Sequence, residues 1–272
     1  MGWNDLIGSR LGPYAITDEL GHGGSSRVYR AYDPARRGDV AIKVMPNDAE
    51  DRQGFLRRFD REVQIVRQLS HPNIVEIFDA GKTDELVYLV MRCILGGTLR
   101  QHFARMLPLP LSIAYIRQMA FALHHAHERG IIHRDVKPSN MLVDAERPEH
   151  VLLTDFGIAK IQSQLKLTKS GTTIGTPEYM SPEQAEGLEI DRRADIYSLG
   201  CVLYEALAGR PPFVGATAIS VLYQQVHSPP SYIRGFNPDV PLELARVLER
   251  ALAKDPEPVS YTHLTLPTIL RV

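Results

Sequence analysis

The chain has 272 residues, of which 44% are hydrophobic and 23% charged, with a formal net charge of -1 and two cysteines. That length allows one large or two modest domains, and the composition is that of an ordinary globular protein. The near-zero charge gives no reason to expect a nucleic-acid partner. Cys93 and Cys201 are too few for a disulfide scaffold and fit a reducing cytoplasm, and no apolar run reaches the roughly 18 residues of a membrane span. The opening "MGWNDLIGSR" has no apolar signal core. Residues 14 to 46 read as strands, ending in "DVAIKVMP", where Val40, Ile42 and Val44 alternate with Ala41 and Lys43 and put Lys43 on the opposite face. Within that stretch, "GHGGSSRVYRA" (residues 21 to 31) approaches the phosphate-covering pattern G-x-G-x-x-G but has Ser26 at the third position. Taken alone, it reads equally well as a glycine-rich turn. Residues 51 to 69 place Phe55, Phe59, Val63, Val66 and Leu69 at helical spacing, and "HPNIVEIFDAG" (71 to 81) and "ELVYLVM" (85 to 91) read as two further strands. Beyond Gly96 and Gly97, which mark a hinge, helices dominate. One long helix has a face of Ile113, Ile116, Ala120, Leu123 and His127; another runs over 193 to 207, and a late one carries Leu244, Leu248, Ala251 and Leu252. A strand-rich quarter followed by a helix-rich remainder predicts an α+β protein of two lobes with a cleft between them.

The chemistry-bearing stretches are "VAIK" at 40 to 43, Glu62 on the first helix, "HRDVKPSN" at 133 to 140, "DFG" at 155 to 157 and "GTPEYMSPE" at 175 to 183. In this order they resemble the protein-kinase signature set. Over about residues 12 to 256 the chain is similar to bacterial Ser/Thr protein kinases of the eukaryotic type. The resemblance implies a bilobal fold with a small antiparallel sheet and one helix in the first lobe and a larger, mainly helical second lobe. It makes 1–258 a kinase domain, with an N-lobe at about 12–91, a hinge at 92–97 and a C-lobe at 98–258 that lacks the family's final helix. It also implies ATP-dependent phosphorylation of protein substrates, with Mg²⁺, or Mn²⁺ as an alternative, and a cytoplasmic active domain that a missing C-terminal segment could anchor to a membrane.

Roles follow residue by residue from that resemblance. Lys43 would contact the α- and β-phosphates, with Glu62 pairing to hold it. Asn140 and Asp155 would supply hard oxygen ligands to the metal. Asp135 would take or orient the acceptor proton, Lys137 would stabilise the γ-phosphate, and Thr176 would bond Asp135 and Lys137 and shape the substrate groove. Gly21, Gly23, Gly24 and Ser26 would form the lid over the triphosphate. Val28, Ala41 and Met91 would line the adenine pocket, and Arg92, Cys93 and Ile94 would form the hinge, at which Arg92 and Ile94 meet the nucleotide. Asp195 would anchor the catalytic loop's backbone, and His133 would pack beneath Phe156, which argues against a metal site built from the nearby His124 and His127. Arg134 would pair with a phosphate on the activation segment, for which Thr168, Ser170, Thr172 and Thr173 are the candidates, with a second kinase copy as the phosphorylating partner. A pseudokinase is opposed by the intact Lys43, Glu62, Asp135, Asn140 and Asp155. A small-molecule kinase of the same fold is opposed by "GTPEYMSPEQ". Residues 259–272, beginning "VSYTHLTLPT", resemble the translation of a sequencing adapter and read as a non-native tail. Glu183 would then lack the Arg it pairs with in the family, and a buried carboxylate left alone costs about 3–5 kcal/mol.

Overall fold

The structure is a computed structural model that describes residues 6–23, 26–47, 51–103, 106–156 and 176–255. Gly24, Thr168, Ser170, Thr172, Thr173 and the segment 259–272 lie outside the described residues. The chain forms two compact units. Among the described residues one contains the chain up to Ser70 and Ile74–Leu95; the other contains His71–Asn73, Gly96–Phe156 and the residues from 176 onward.

Among the described residues, the first unit is an antiparallel six-stranded sheet with one helix. Its strands are β1 (Arg10–Leu11), β2 (Tyr14–Gly23), β3 (Ser26–Asp33), β4 (Gly38–Pro46), β5 (Ile77–Lys82) and β6 (Leu86–Arg92), in the order β1-β2-β3-β4-β6-β5. One face buries Ile16, Tyr29, Ala31, Val40, Ile42, Val44 and Val90 in a shared apolar cluster. Alternation along β4 puts Lys43 on the other face, but that face is covered too, since Ala41, Lys43 and Met45 are also buried. Helix α1 (Arg52–Val66) buries the predicted stripe of Phe55, Phe59, Val63 and Val66. Its N-cap, Asp51, accepts a hydrogen bond from the Gly54 amide at 2.8 Å, a cap worth about 1 kcal/mol.

One expected strand is shortened. The continuous strand in "HPNIVEIFDAG" begins at Ile77, and Asn73 belongs to the second unit. Its side-chain amide donates to Gln118 Oε1 at 2.8 Å and to the Val151 carbonyl at 2.9 Å, and its own carbonyl accepts from the Leu153 amide at 2.8 Å. These bonds replace the ladder partners that a strand would need at that point.

The second unit is mainly helical: α2 (Leu99–His102), α3 (Leu109–His127), α4 (Pro182–Glu186), α5 (Arg193–Ala208), α6 (Ala218–His227) and α7 (Leu242–Ala251), with a short hairpin of β7 (Met141–Val143) and β8 (Val151–Leu153). Helix α5 is buried continuously from Ala194 to Leu207, so it is the unit's core element and shows no polar face. It ends at Gly209, whose φ of 73° is the left-handed C-cap conformation that glycine adopts without strain. Glu183, on α4, is half-buried rather than buried.

Candidate active site

Strand register gathers the residues expected to meet a nucleotide on one face of the first unit's sheet. Val28 lies opposite Lys43 across β3 and β4, Lys43 lies opposite Leu89, and Ala41 lies opposite Met91 across β4 and β6. Directly paired residues share a face, as do residues two apart on one strand, so Val28, Ala41, Lys43 and Met91 project together, away from the apolar cluster. Gly21 pairs with Val28, and Gly23 with Ser26, at the end of the β2–β3 hairpin. A Cβ on Gly21 would meet nothing within 4 Å. The protein's own packing therefore does not require a glycine there. Arg92 pairs with Val40 and is exposed, so its side chain points to the opposite face from Met91; Ile94 is half-buried. Burial pushes the Cys93 thiol up from its ordinary range, which keeps it protonated and weakly nucleophilic. Glu62, on α1 of the same unit, is half-buried.

In the second unit the "HRDVKPSN" stretch closes on itself. Lys137 Nζ is 2.8 Å from Asp135 Oδ2, and Asn140 Nδ2 donates to the same oxygen at 3.0 Å and to the Asp135 carbonyl at 2.8 Å. Because a carbonyl can only accept, the second bond fixes the Asn140 amide and leaves its Oδ1 as the outward acceptor. Among the described residues no donor is bonded to Asp135 Oδ1, so that oxygen is available to an incoming hydroxyl. The Thr154 amide donates to the Asn140 carbonyl at 2.9 Å, which sets Asp155, the next residue, beside the loop. Asp155 has φ 70°, in the left-handed region, a strain of about 1–3 kcal/mol for a non-glycine residue. The donor set suits a hard divalent cation, since Asn140 Oδ1 and the Asp155 carboxylate are both oxygen donors. Thr176 precedes the turn Pro177–Tyr179, and among the described residues its hydroxyl bonds neither Asp135 nor Lys137.

The loop is fixed from below. Asp195, at the start of α5 and 1% exposed, accepts the His133 and Arg134 amides at 2.8 Å each and His127 Nε2 at 2.7 Å. This ties His127 to Asp195, and among the described residues no group of three His, Cys, Asp or Glu side chains could hold a metal. His133 Nδ1 accepts the Asp135 amide at 3.2 Å while Nε2 donates to the Thr154 carbonyl at 2.8 Å, and its ring meets Phe156 edge-on at 4.5 Å. Arg134 is the other strained residue here, with φ 67°. Sequence reasoning missed what holds it. Gln184 Nε2 donates to the Arg134 carbonyl at 2.9 Å, while Gln184 Oε1 accepts the Ser181 amide in a capping box. The spacing "SPEQ" carried that signal. It also missed Glu205, whose carboxylate is held by Tyr179 and, at 3.0 Å, by Arg100. Burial raises the Glu205 pKa, which the hydrogen bond from Tyr179 and the charge of Arg100 oppose.

Residues 14–258 match the protein kinase domain family. The serine/threonine-protein kinase PrkC of Bacillus subtilis (strain 168) is 39% identical over 254 residues, spanning 92% of this chain and 39% of that protein. PknB of Mycobacterium leprae (strain TN), named as the same kind of kinase, is 41% identical over 251 residues, spanning 90% and 40% respectively. The chain thus spans about two fifths of the length of these relatives. Among solved structures, the Mycobacterium tuberculosis PknI kinase domain superposes with a TM-score of 0.75 at 29% identity, covering 97% of this chain and 98% of that one.

Proposed function

The chain belongs to the protein kinase domain family, in its bacterial serine/threonine branch, and on that premise we propose that it transfers the γ-phosphoryl group of ATP to Ser and Thr hydroxyls of protein substrates. The observation that carries this reading is the convergence of Lys137 and Asn140 on a single oxygen of Asp135. That arrangement orients the carboxylate and leaves the other oxygen for the acceptor. The acceptor hydroxyl's oxygen forms a bond to the γ-phosphorus as the bond to the β,γ-bridging oxygen breaks, and the hydroxyl proton passes to Asp135. Lys137 balances charge on the transferring group, and Lys43, held by Glu62, on the phosphates that stay behind. Asn140 and Asp155 would hold Mg²⁺, or Mn²⁺, which neutralises phosphate charge when bound. Gly21, Gly23 and Ser26 cover the phosphates, and Val28, Ala41 and Met91, with the backbone from Arg92 to Ile94, take the adenine. Thr176 shapes the peptide groove.

Regulation by autophosphorylation within 168–173 belongs to the same proposal, with Arg134 as the phosphate's partner and a second copy of the chain as donor. Among the described residues no helix is long and apolar enough to cross a membrane. The test is incubation with labelled Mg-ATP and a generic protein substrate, alongside Asp135→Asn. A positioned acid–base group contributes about 10²–10⁴-fold, so the variant's turnover should fall by at least ~100-fold. Equal phosphorylation by both proteins overturns the assignment.

A further inference from the structure

The position of Asp135 is set by two peptide planes, one on either side of its Cα. The plane that follows is held within the loop, where Asn140 Nδ2 donates to the Asp135 carbonyl at 2.8 Å. The plane that precedes it carries the Arg134 carbonyl and the Asp135 amide. The amide donates to His133 Nδ1 at 3.2 Å, a long bond between residues two apart. The carbonyl accepts Gln184 Nε2 at 2.9 Å, from 50 residues along the chain, and among the described residues nothing else is bonded to it.

This plane needs a restraint because the backbone beside it is strained. Arg134 has φ 67°, a left-handed conformation that a non-glycine residue keeps only where its surroundings over-determine it. Two bonds bracket the residue: Asp195 Oδ1 accepts its amide at 2.8 Å, and Gln184 holds its carbonyl. Without the second bond, relaxation of Arg134 turns the carbonyl and carries Asp135 with it.

The Gln184 amide cannot be turned over, because a carbonyl only accepts and a backbone N–H only donates. Nε2 must face Arg134, and Oε1 must face the Ser181 amide, which it accepts at 3.0 Å. The Gln184 backbone N–H goes to Ser181 Oγ at 3.4 Å, which completes the capping box of α4. Ser181 stands just beyond the turn Pro177–Tyr179, and that turn is pinned at two carbonyls. Pro177's accepts Gln225 Nε2 at 2.9 Å, and Tyr179's accepts Ser198 Oγ at 2.7 Å. One side chain thus joins the segment after Thr176 to the peptide plane before Asp135.

We propose that Gln184 is a positioning residue for phosphoryl transfer: it fixes the Arg134–Asp135 peptide plane, and so the aim of the Asp135 carboxylate relative to the segment after Thr176. This rests on the transfer reaction proposed above. The side-chain bonds of Gln184 are to Arg134 and Ser181, so its effect on Asp135 passes through the backbone.

Two variants separate this role from the helix cap. Gln184→Glu keeps an oxygen for the Ser181 amide, and Glu serves a capping box as Gln does, but a carboxylate has no hydrogen for the Arg134 carbonyl. Gln184→Met loses both bonds and adds no charge. Steady-state assays at mildly alkaline pH, with Mg-ATP and a generic protein substrate, should show kcat about tenfold lower in both. That lies within the ~100-fold that a misplacement of about 1 Å can cost. The KM for ATP should stay at the wild-type value, and only Gln184→Met should lower Tm. Hydrogen exchange of the Asp135 amide, read by NMR on the whole chain, should quicken in both variants while amides in the middle of α5 do not change. Wild-type kcat in Gln184→Glu overturns the proposal, since a helix cap alone survives that change. So does an unchanged Asp135 amide in both variants. If the wild type itself transfers no phosphate, the kinase reading fails, and the Asp135 amide alone then decides whether Gln184 holds the plane.

Discussion

Replacing Asp195 with asparagine changes a single atom where three hydrogen bonds meet. The carboxylate accepts the His133 and Arg134 amides through different oxygens, Oδ2 and Oδ1, and Oδ2 also receives His127 Nε2. Asparagine keeps one acceptor oxygen. Whichever way its amide turns, an N–H group faces a backbone N–H in a site only 1% exposed. An orphaned buried donor costs about 1–3 kcal/mol, and losing the charge from the surviving bonds costs about 1 kcal/mol more. The total is about 2–4 kcal/mol, since an asparagine whose oxygen faces His127 keeps that hydrogen bond and orphans the Arg134 amide. Arg134 adds to the effect, because its left-handed backbone persists only while neighbouring bonds hold it. At roughly 2–4 °C per kcal/mol for a domain of about this size, Tm should fall by roughly 10 °C. Urea unfolding gives the free energy, and hydrogen exchange at the His133 and Arg134 amides localises it. A loss below about 1 kcal/mol with both amides still protected would refute the claim that Asp195 holds the loop.

Lys254 gives a pH signature at the other end of the scale. Its amine donates to Tyr197 Oη at 2.8 Å and to the Gln225 carbonyl at 2.6 Å, and sits 4.0 Å from the centre of the Phe213 ring; burial pulls its pKa down to about 8. Between pH 8 and 10 the unfolded chain keeps this proton while the folded chain loses it, so stability should rise, by about 1–3 kcal/mol. Above pH 10 the trend should reverse, since Tyr179 and Tyr197 are held neutral in the fold and ionise on unfolding. Lys254→Met should flatten the rise, and urea titrations across this window check it; an unchanged profile removes Lys254 as its source. Gly21→Ala should leave Tm within about 1 °C of wild type, because its Cβ enters open space, while raising the KM for ATP several-fold. Thermal shift and steady-state kinetics separate the two, and a large fall in Tm with unchanged KM would mean the glycine serves the fold alone.

What the sequence disclosed follows the strength of its periodicities. The strand alternation around Lys43 and the stripe of α1 were readable because each has one apolar face over enough residues. Helix α6 was not. It buries Val221 and Gln225 while Ile219 and Tyr223 stand 73% and 64% exposed, so its hydropathy does not mark its inner face. Gln225 is tolerated inside because Tyr197 donates to its oxygen at 2.6 Å and its nitrogen donates to the Pro177 carbonyl at 2.9 Å. The strands β7 and β8 are too short to show a period. The apolar letters of "HPNIV" suggested a strand, and the side-chain bonds of Asn73 override that preference. At the site the motif residues and Asp195 were legible by type and order, whereas the reach of Gln184 to Arg134, beyond the local cap that "SPEQ" records, and the role of Glu205 were not. Each support acts across a long stretch of chain, which no local pattern records.

The burial of α5 along nearly its whole length makes it a ruler. Asp195 near its start holds the loop bearing Asp135, and Glu205 near its end holds Tyr179 and Arg100. The helical rise of about 1.5 Å per residue sets these two carboxylates roughly 15 Å apart along the axis. Inserting or deleting one residue between them would change that spacing only slightly but would rotate one carboxylate by about 100° relative to the other. Side chains along α5 can therefore be exchanged for others of similar volume, whereas the number of residues from 195 to 205 cannot change without disconnecting one of the two ends.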